Sequence, residues 1–70
     1  NLLIDLKEVT FIDSSGLGAI LGRYKKVESL KGKLVIAGPR LQVKKILRVS
    51  GINKIIGIYK DKNSALNQLL

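Results

Sequence analysis

Three short apolar runs, separated by stretches of helical periodicity, leave a chain of 70 residues few folds to choose from. Leu2-Leu3-Ile4-Asp5-Leu6 is nearly continuous in apolar character, which suits a strand covered on both faces, as in parallel sheets. Val9, Phe11 and Ile12 lead to a turn at Asp13-Ser14-Ser15-Gly16. Leu17, Ile20, Leu21, Tyr24 and Val27 then recur at spacings of three and four, the stripe of an amphipathic helix, with Gly32 as its expected terminator. Lys33 to Ala37 reads as a second buried strand, and Gly38-Pro39 punctuates it, Pro39 suiting the first turn of a new helix. Val43, Ile46 and Leu47 line one face of that helix, Arg40, Lys44 and Arg48 line another, and Gly51 can close it. Ile55 to Tyr59 has strand character, with Gly57 a weak point or bulge. Asp61 or Asn63 can cap a last helix that buries Ala65, Leu66, Leu69 and Leu70.

The order strand-helix-strand-helix-strand-helix predicts an α/β fold with a parallel sheet joined by right-handed crossovers. A domain this small buries only about 60% of its unfolded surface, so its margin is thin. Three short strands and these helices can hardly cover two apolar sheet faces. The strand at Leu2 to Leu6 also presents an open edge, which invites pairing with another chain. The expectation is that the chain associates through that edge or is held by an upstream segment. It opens on Asn1 rather than Met, which suggests that residues 1–70 form the C-terminal portion of a single domain.

Composition removes whole function classes. With no Cys and no His there is no disulfide framework, no usual zinc site and no histidine general base, so neither a metal nor a cofactor is expected. The lack of Cys fits a cytoplasmic protein. No run approaches the ~20 apolar residues that span a bilayer, so no membrane role is expected. Five carboxylates are present, but only Asp13 adjoins a candidate hydroxyl and nothing completes an acid–base set, which argues against an enzyme. The formal net charge of +8 favours acidic partners. Arg40, Lys44, Lys45 and Arg48 make a basic helix face that could track phosphates. Only Phe11, Tyr24 and Tyr59 are aromatic, however, and a solvated face is the plainer reading than nucleic-acid binding.

Phe11-Ile12-Asp13-Ser14-Ser15-Gly16-Leu17-Gly18 is the most informative stretch, because it lies between a strand and a helix. Either serine hydroxyl can cap the free N–H groups of the helix start, and Asp-Ser-Ser-Gly is an ordinary capping sequence. The same position exposes a hydroxyl to phosphorylation, which would add roughly −1.5 to −2 charges beside the positive end of the helix dipole. The fold tolerates such a group; Asp13 and an apolar partner surface would not. Gly16 and Gly18 keep the turn low enough for a partner to approach the backbone. The Lys-Ser/Thr element of a phosphate-cradling loop is missing, and so is the G-x-S-x-G nucleophile elbow.

The run from Val9 to Lys25, Val-Thr-Phe-Ile-Asp-Ser-Ser-Gly-Leu-Gly-Ala-Ile-Leu-Gly-Arg-Tyr-Lys, resembles the signature of the STAS domain family, and most of all its sporulation anti-sigma factor antagonists. Val43-Lys44-Lys45-Ile46-Leu47 and Ser50 to Ile56 resemble the next helix and final strand of that family. The resemblance covers nearly the whole chain but begins at the family's middle strand, with the N-terminal strands and first helix missing. It implies a STAS-like sheet and a partner-switching module that binds an anti-sigma factor, itself a serine kinase, and so releases a sigma factor. It further implies phosphorylation at Ser14, with Asp13 and Ser15 as neighbours, and a serine phosphatase that reverses it. The implied contact surface is Gly16, Leu17, Gly18 and Leu21, although the helical stripe also assigns Leu21 to the core. The acidic residue that the family supplies near the phosphosite from its N-terminal half has no counterpart here. STAS domains of anion transporters and stress-signalling complexes are the alternative within the same fold.

Overall fold

The computed structural model describes residues 1–70 as an α/β fold in the order expected. Strand β1 spans Leu2–Asp5, helix α1 Ser14–Ser29, strand β2 Leu34–Ala37, helix α2 Leu41–Val49, strand β3 Gly57–Tyr59 and helix α3 Lys62–Asn67. The strands form one parallel sheet in the order β1-β2-β3, with Leu2 opposite Leu34 and Ile36 opposite Ile58. No helix is long and apolar enough to cross a membrane.

Strand β2 is the centre of the molecule. Leu34, Val35, Ile36 and Ala37 are all buried, because β2 has a strand on each side and helices above and below. The alternation of the strand divides its side chains between two clusters. Leu34 and Ile36 join Leu6, Ile12, Ile20, Val43, Leu47, Ile52 and Ile56 in the larger one, beneath α1 and α2. Val35 and Ala37 meet Ala65 of α3 on the opposite face. Both crossovers carry the chain the same way across the sheet, so a common right-handed twist sets α1 and α2 on the same side. Helix α3 follows the last strand and is free to take the other.

That second face is covered thinly, and the expectation for α3 needs correction. Ala65 is buried and Leu69 half-buried, but Leu66 and Leu70 are exposed. The helix has only six residues, too few to turn four apolar side chains onto a three-stranded sheet. Leu3 and Tyr59 complete the cluster in place of the missing leucines.

Four further local expectations change. Gly32 does not supply the left-handed turn at the end of α1: Lys31 does, with φ 59°. The N–H of Gly32 donates to Val27 and that of Lys31 to Glu28, both at 2.9 Å, which is the Schellman pattern. Gly32 instead gives room to its neighbours, since a Cβ there would stand 3.1 Å from the Val27 side chain. Pro39 precedes the helix rather than entering it, and Arg40 occupies the N-cap without a side-chain hydrogen bond. Ile55 and Ile56 lie outside β3, because Ile52–Lys54 form a 3₁₀ turn that drops Ile52 and Ile56 into the core. Gly57 is no bulge; it pairs in register with Val35, and the Tyr59 ring folds back over the space a Cβ would fill. Gly51 does end α2, with φ 85°, as its position suggested.

Two outcomes test these assignments. A lysine in the left-handed region carries a steric cost that glycine avoids. Lys31→Gly should therefore raise stability by about 0.5–1 kcal/mol, after the added unfolded-state entropy is offset, and move the urea midpoint upward without changing the slope. Asp61 caps α3 by accepting the Ser64 N–H at 2.8 Å, and that backbone hydrogen bond, aided by the Ser64 side chain, holds its pKa below the usual aspartate value. The folded-state pKa is lowered, so this contribution is complete above the ordinary carboxylate range and is lost as pH falls through the depressed value. Asp61→Asn keeps a capping carbonyl but cannot titrate, and should flatten the acid limb of a stability-versus-pH curve.

Candidate functional site

The turn after β1 returns the chain along its own sheet to start α1. Ile12 is buried in the larger core cluster, which anchors the turn from below. Asp13, directly after it, has extended backbone and caps α1: its Oδ1 accepts the Gly16 N–H at 2.9 Å, and its carbonyl accepts the Leu17 N–H at 3.0 Å. The cap is therefore Asp13, not Ser14 or Ser15. A carboxylate one residue earlier reaches the third N–H of the helix, and both serines become the first residues of the helix itself.

This division of labour decides what the serines can do. Ser14 and Ser15 are exposed, and neither hydroxyl takes part in a hydrogen bond within the protein. Their N–H groups are among the unpaired donors of the first helical turn. Gly16 is half-buried, and a Cβ there would press on the Ile12 side chain at 3.0 Å, which the core would have to shift to admit. The turn thus sits tight on the core while its hydroxyls face outward.

Along α1, Ser14, Gly18 and Gly22 follow at intervals of four and form one exposed line. A Cβ at Gly18 or Gly22 would meet nothing within 4 Å. Each glycine in a helix interior costs about 1 kcal/mol relative to alanine, and packing within this chain does not require either one. Leu17 and Leu21 are half-buried and lean on the core, so they belong to it in part while keeping an outer surface. Leu17 also lines an apolar groove of about 310 Å³ with Lys45, Ile46, Val49 and Ser50 of the neighbouring α2 segment. Val49 is 87% exposed, which for a valine in a helix leaves an open apolar surface. The sequence offered no signal for this groove, since Ile46 belonged to the expected core stripe and Val49 fell on no stripe. Gly22 does carry a sequence signal, being a glycine inside a helix with no turn to make.

On the other side of the turn, Leu6, Val9, Phe11, Ile12, Asp13, Gly16 and Ile20 surround a second apolar hollow of about 320 Å³. Phe11 stands 71% exposed at its rim. The charges are unevenly divided. Residues 1–22 hold one lysine against three carboxylates, net −2, whereas residues 23–70 hold twelve cations against two carboxylates, net +10. Asp13 is the carboxylate at the turn itself, whereas Asp5 lies with Lys7, Lys60 and Lys62, and Lys45 lines the groove beside Leu17. On α2, Arg40 is partly occupied with structure, its Nε donating to the Lys7 carbonyl at 3.0 Å, while Lys44, Lys45 and Arg48 are exposed. Further along α1, Tyr24 donates its hydroxyl to Glu28 at 2.7 Å, and that carboxylate raises the phenol pKa. No cluster of three or more acidic side chains could hold a metal ion.

Comparison with known proteins places this geometry. The STAS domain family model matches residues 1–65. The anti-sigma F factor antagonist of Paenibacillus polymyxa is 39% identical over 69 residues, 99% of this chain and 59% of that protein. The anti-sigma-B factor antagonist of Listeria monocytogenes is 35% identical over 57 residues, 81% of this chain and 50% of that protein. A crystal structure from Thermotoga maritima, assigned to the anti-sigma factor antagonists, superposes with a TM-score of 0.92 at 27% identity, covering 96% of this chain and 57% of that one. This chain thus spans between half and three fifths of the length of these relatives. A match across nearly all of its residues, in sequence and in backbone, makes the chain a member of the STAS domain family.

Proposed function

We propose that this chain is the C-terminal portion of an anti-sigma factor antagonist of the sporulation type. In this reading it is a binding module rather than an enzyme. It binds an anti-sigma factor with serine kinase activity, and phosphorylation of Ser14 switches that binding off until a phosphatase removes the phosphate. One observation carries the proposal: Asp13 does the capping, so Ser14 is an exposed helix-start hydroxyl that the fold does not use. Its modification costs the structure no hydrogen bond. A phosphate there meets the positive end of α1, which stabilises it locally, and adds negative charge beside the Asp13 carboxylate.

The contact face consists of the turn and the uncovered line of α1. Gly16 seats the turn, Gly18 and Gly22 leave the helix backbone open, and Leu17 with Leu21 supplies apolar surface at the margin of the core. The groove shared by Leu17, Ile46 and Val49 extends that face onto α2. Glycines without an internal packing reason, next to a free hydroxyl, are what a closely approaching partner surface would require. Lys45 in the groove wall, with the exposed Lys44 and Arg48 on the same helix, suits an acidic partner and would speed encounter at low salt. The names of relatives aligned over most of this chain support the partner class.

The decisive experiment supplies the anti-sigma kinase and ATP and locates the phosphate by mass spectrometry. Uptake at Ser14 is expected; uptake elsewhere, or none, would sink the switch. Ser14→Asp should weaken kinase binding about tenfold or more, roughly 1.4 kcal/mol, while the circular dichroism spectrum stays unchanged. The glycine line gives an independent outcome. Gly18→Ala should stabilise the fold by about 1 kcal/mol in urea melts, whereas Gly18→Gln should keep the fold and lose partner affinity in titration calorimetry.

A further inference from the structure

Beside the start of α3, at the carboxyl ends of the three parallel strands, lies a cleft of about 390 Å³ with no apolar side chain in its lining. Each strand contributes to it: Asp5 ends β1 and Lys7 follows, Gly38 follows β2, and Lys60 follows β3. In open α/β sheets this is the end at which ligands bind. The walls are the loops after the strands, so the cleft does not rest on the uncovered edge of β1. Backbone hydrogen bonds fix its floor. The Leu6 N–H donates to the Ala37 carbonyl at 3.0 Å, and the Gly38 N–H donates to the Tyr59 carbonyl at 2.8 Å. Gly38 has φ 60°, and a Cβ there would stand 3.6 Å from the Lys60 carbonyl and 3.9 Å from the Lys7 side chain. Glycine therefore meets a backbone requirement and keeps the floor open.

Lys7, Lys60 and Lys62 bring three ammonium groups to the cleft, against the two carboxylates of Asp5 and Asp61. Both carboxylates are already engaged with the backbone. Asp5 Oδ1 accepts the Lys7 N–H at 3.0 Å, and Asp61 Oδ1 accepts the Ser64 N–H at 2.8 Å. The ammonium groups have no such task, since Lys33 is the one lysine whose Nζ donates a hydrogen bond within the protein. An apolar ligand would find nothing to touch here, and a metal ion would meet more ammonium groups than carboxylates. An anion with several acceptor oxygens matches what remains. We propose that this cleft binds a small phosphate-bearing anion, with Lys7, Lys60 and Lys62 donating to its oxygens and the Asn63 amide supplying a neutral donor. This site is separate from Ser14 and does not depend on the switch.

The cations reach the cleft from two separate loops. Lys7 lies after β1, on a segment held in place by Arg40, whose Nε donates to the Lys7 carbonyl at 3.0 Å. Lys60 and Lys62 flank Asp61 after β3, and the extended backbone of Asp61 sends both to the same side. Helix α3, six residues long, contributes side chains rather than a dipole. All three lysines are exposed, so water and salt compete for their ammonium groups. The expected affinity is therefore modest, on the order of a millimolar, and falls as salt rises.

Amide NMR titration of the 70-residue chain with inorganic phosphate, and separately with pyrophosphate, tests this at constant ionic strength. Shifts should saturate and concentrate on Lys7, Gly38 and Lys60 to Asn63. Replacing both loop lysines, Lys60→Gln with Lys62→Gln, should weaken binding about tenfold or more and leave the fold intact. The pair Lys25→Gln and Lys26→Gln removes the same charge from exposed positions of α1 and should leave the affinity unchanged. Tighter binding of pyrophosphate would identify a diphosphate-bearing ligand, and equal binding would identify free phosphate; both support the cleft. Shifts that do not saturate, or that spread over the basic face of α2, overturn the proposal. So does equal weakening by the two double variants. If the Lys60 and Lys62 variant does not fold, the map of wild-type shifts still decides.

Discussion

The burial of β2 is the constraint on which the rest of the molecule depends. Four consecutive apolar residues must be covered on two faces and two edges, and a chain of 70 residues has little material for the task. Strands β1 and β3 take the edges, α1 and α2 take one face, and the short α3 takes the other. Losing a single buried side chain from such a strand typically costs 2–5 kcal/mol, a large share of the about 5–15 kcal/mol that domains possess. That thin margin explains why the turn before α1 rests so closely on Ile12. The site is an outgrowth of the core rather than a separate loop.

The same economy shapes the site. A helix start needs its free N–H groups satisfied, and the simplest solution would use the serines. Here a carboxylate one residue earlier does it, and both hydroxyls are left to solvent. Capping therefore falls to one side chain and leaves the neighbouring hydroxyls without a structural task. Gly16 is held by a packing constraint, whereas Gly18 and Gly22 are not, so three glycines of similar appearance divide into structural and outward-facing roles.

Much of this was readable before any coordinates. The alternation of apolar runs with helical stripes established the element order, and the buried positions of α1 and α2 followed from spacing. The motif from Val9 to Lys25 pointed to the family and, through it, to Ser14. Local chemistry by itself left capping and switching as alternatives for the same hydroxyl. Where spacing failed, the cause was competition over very short distances. Lys31 rather than Gly32 takes the left-handed position, and α1 closes one residue before the glycine that seemed to end it. Leu66 and Leu70 are exposed because a six-residue helix cannot aim all its apolar side chains at a narrow sheet.

What the sequence determined alone is the set of local periods: strand, helix and turn each follow from backbone sterics and from which residues avoid water. Tertiary structure decided everything that depends on two distant segments meeting. It brought Leu17 beside Ile46 and Val49 to open a groove, and set α3 on the face that α1 and α2 leave uncovered. A period records which way a side chain faces along its own element. What lies opposite depends on crossover handedness and on the length of chain available, and neither is written in any one segment.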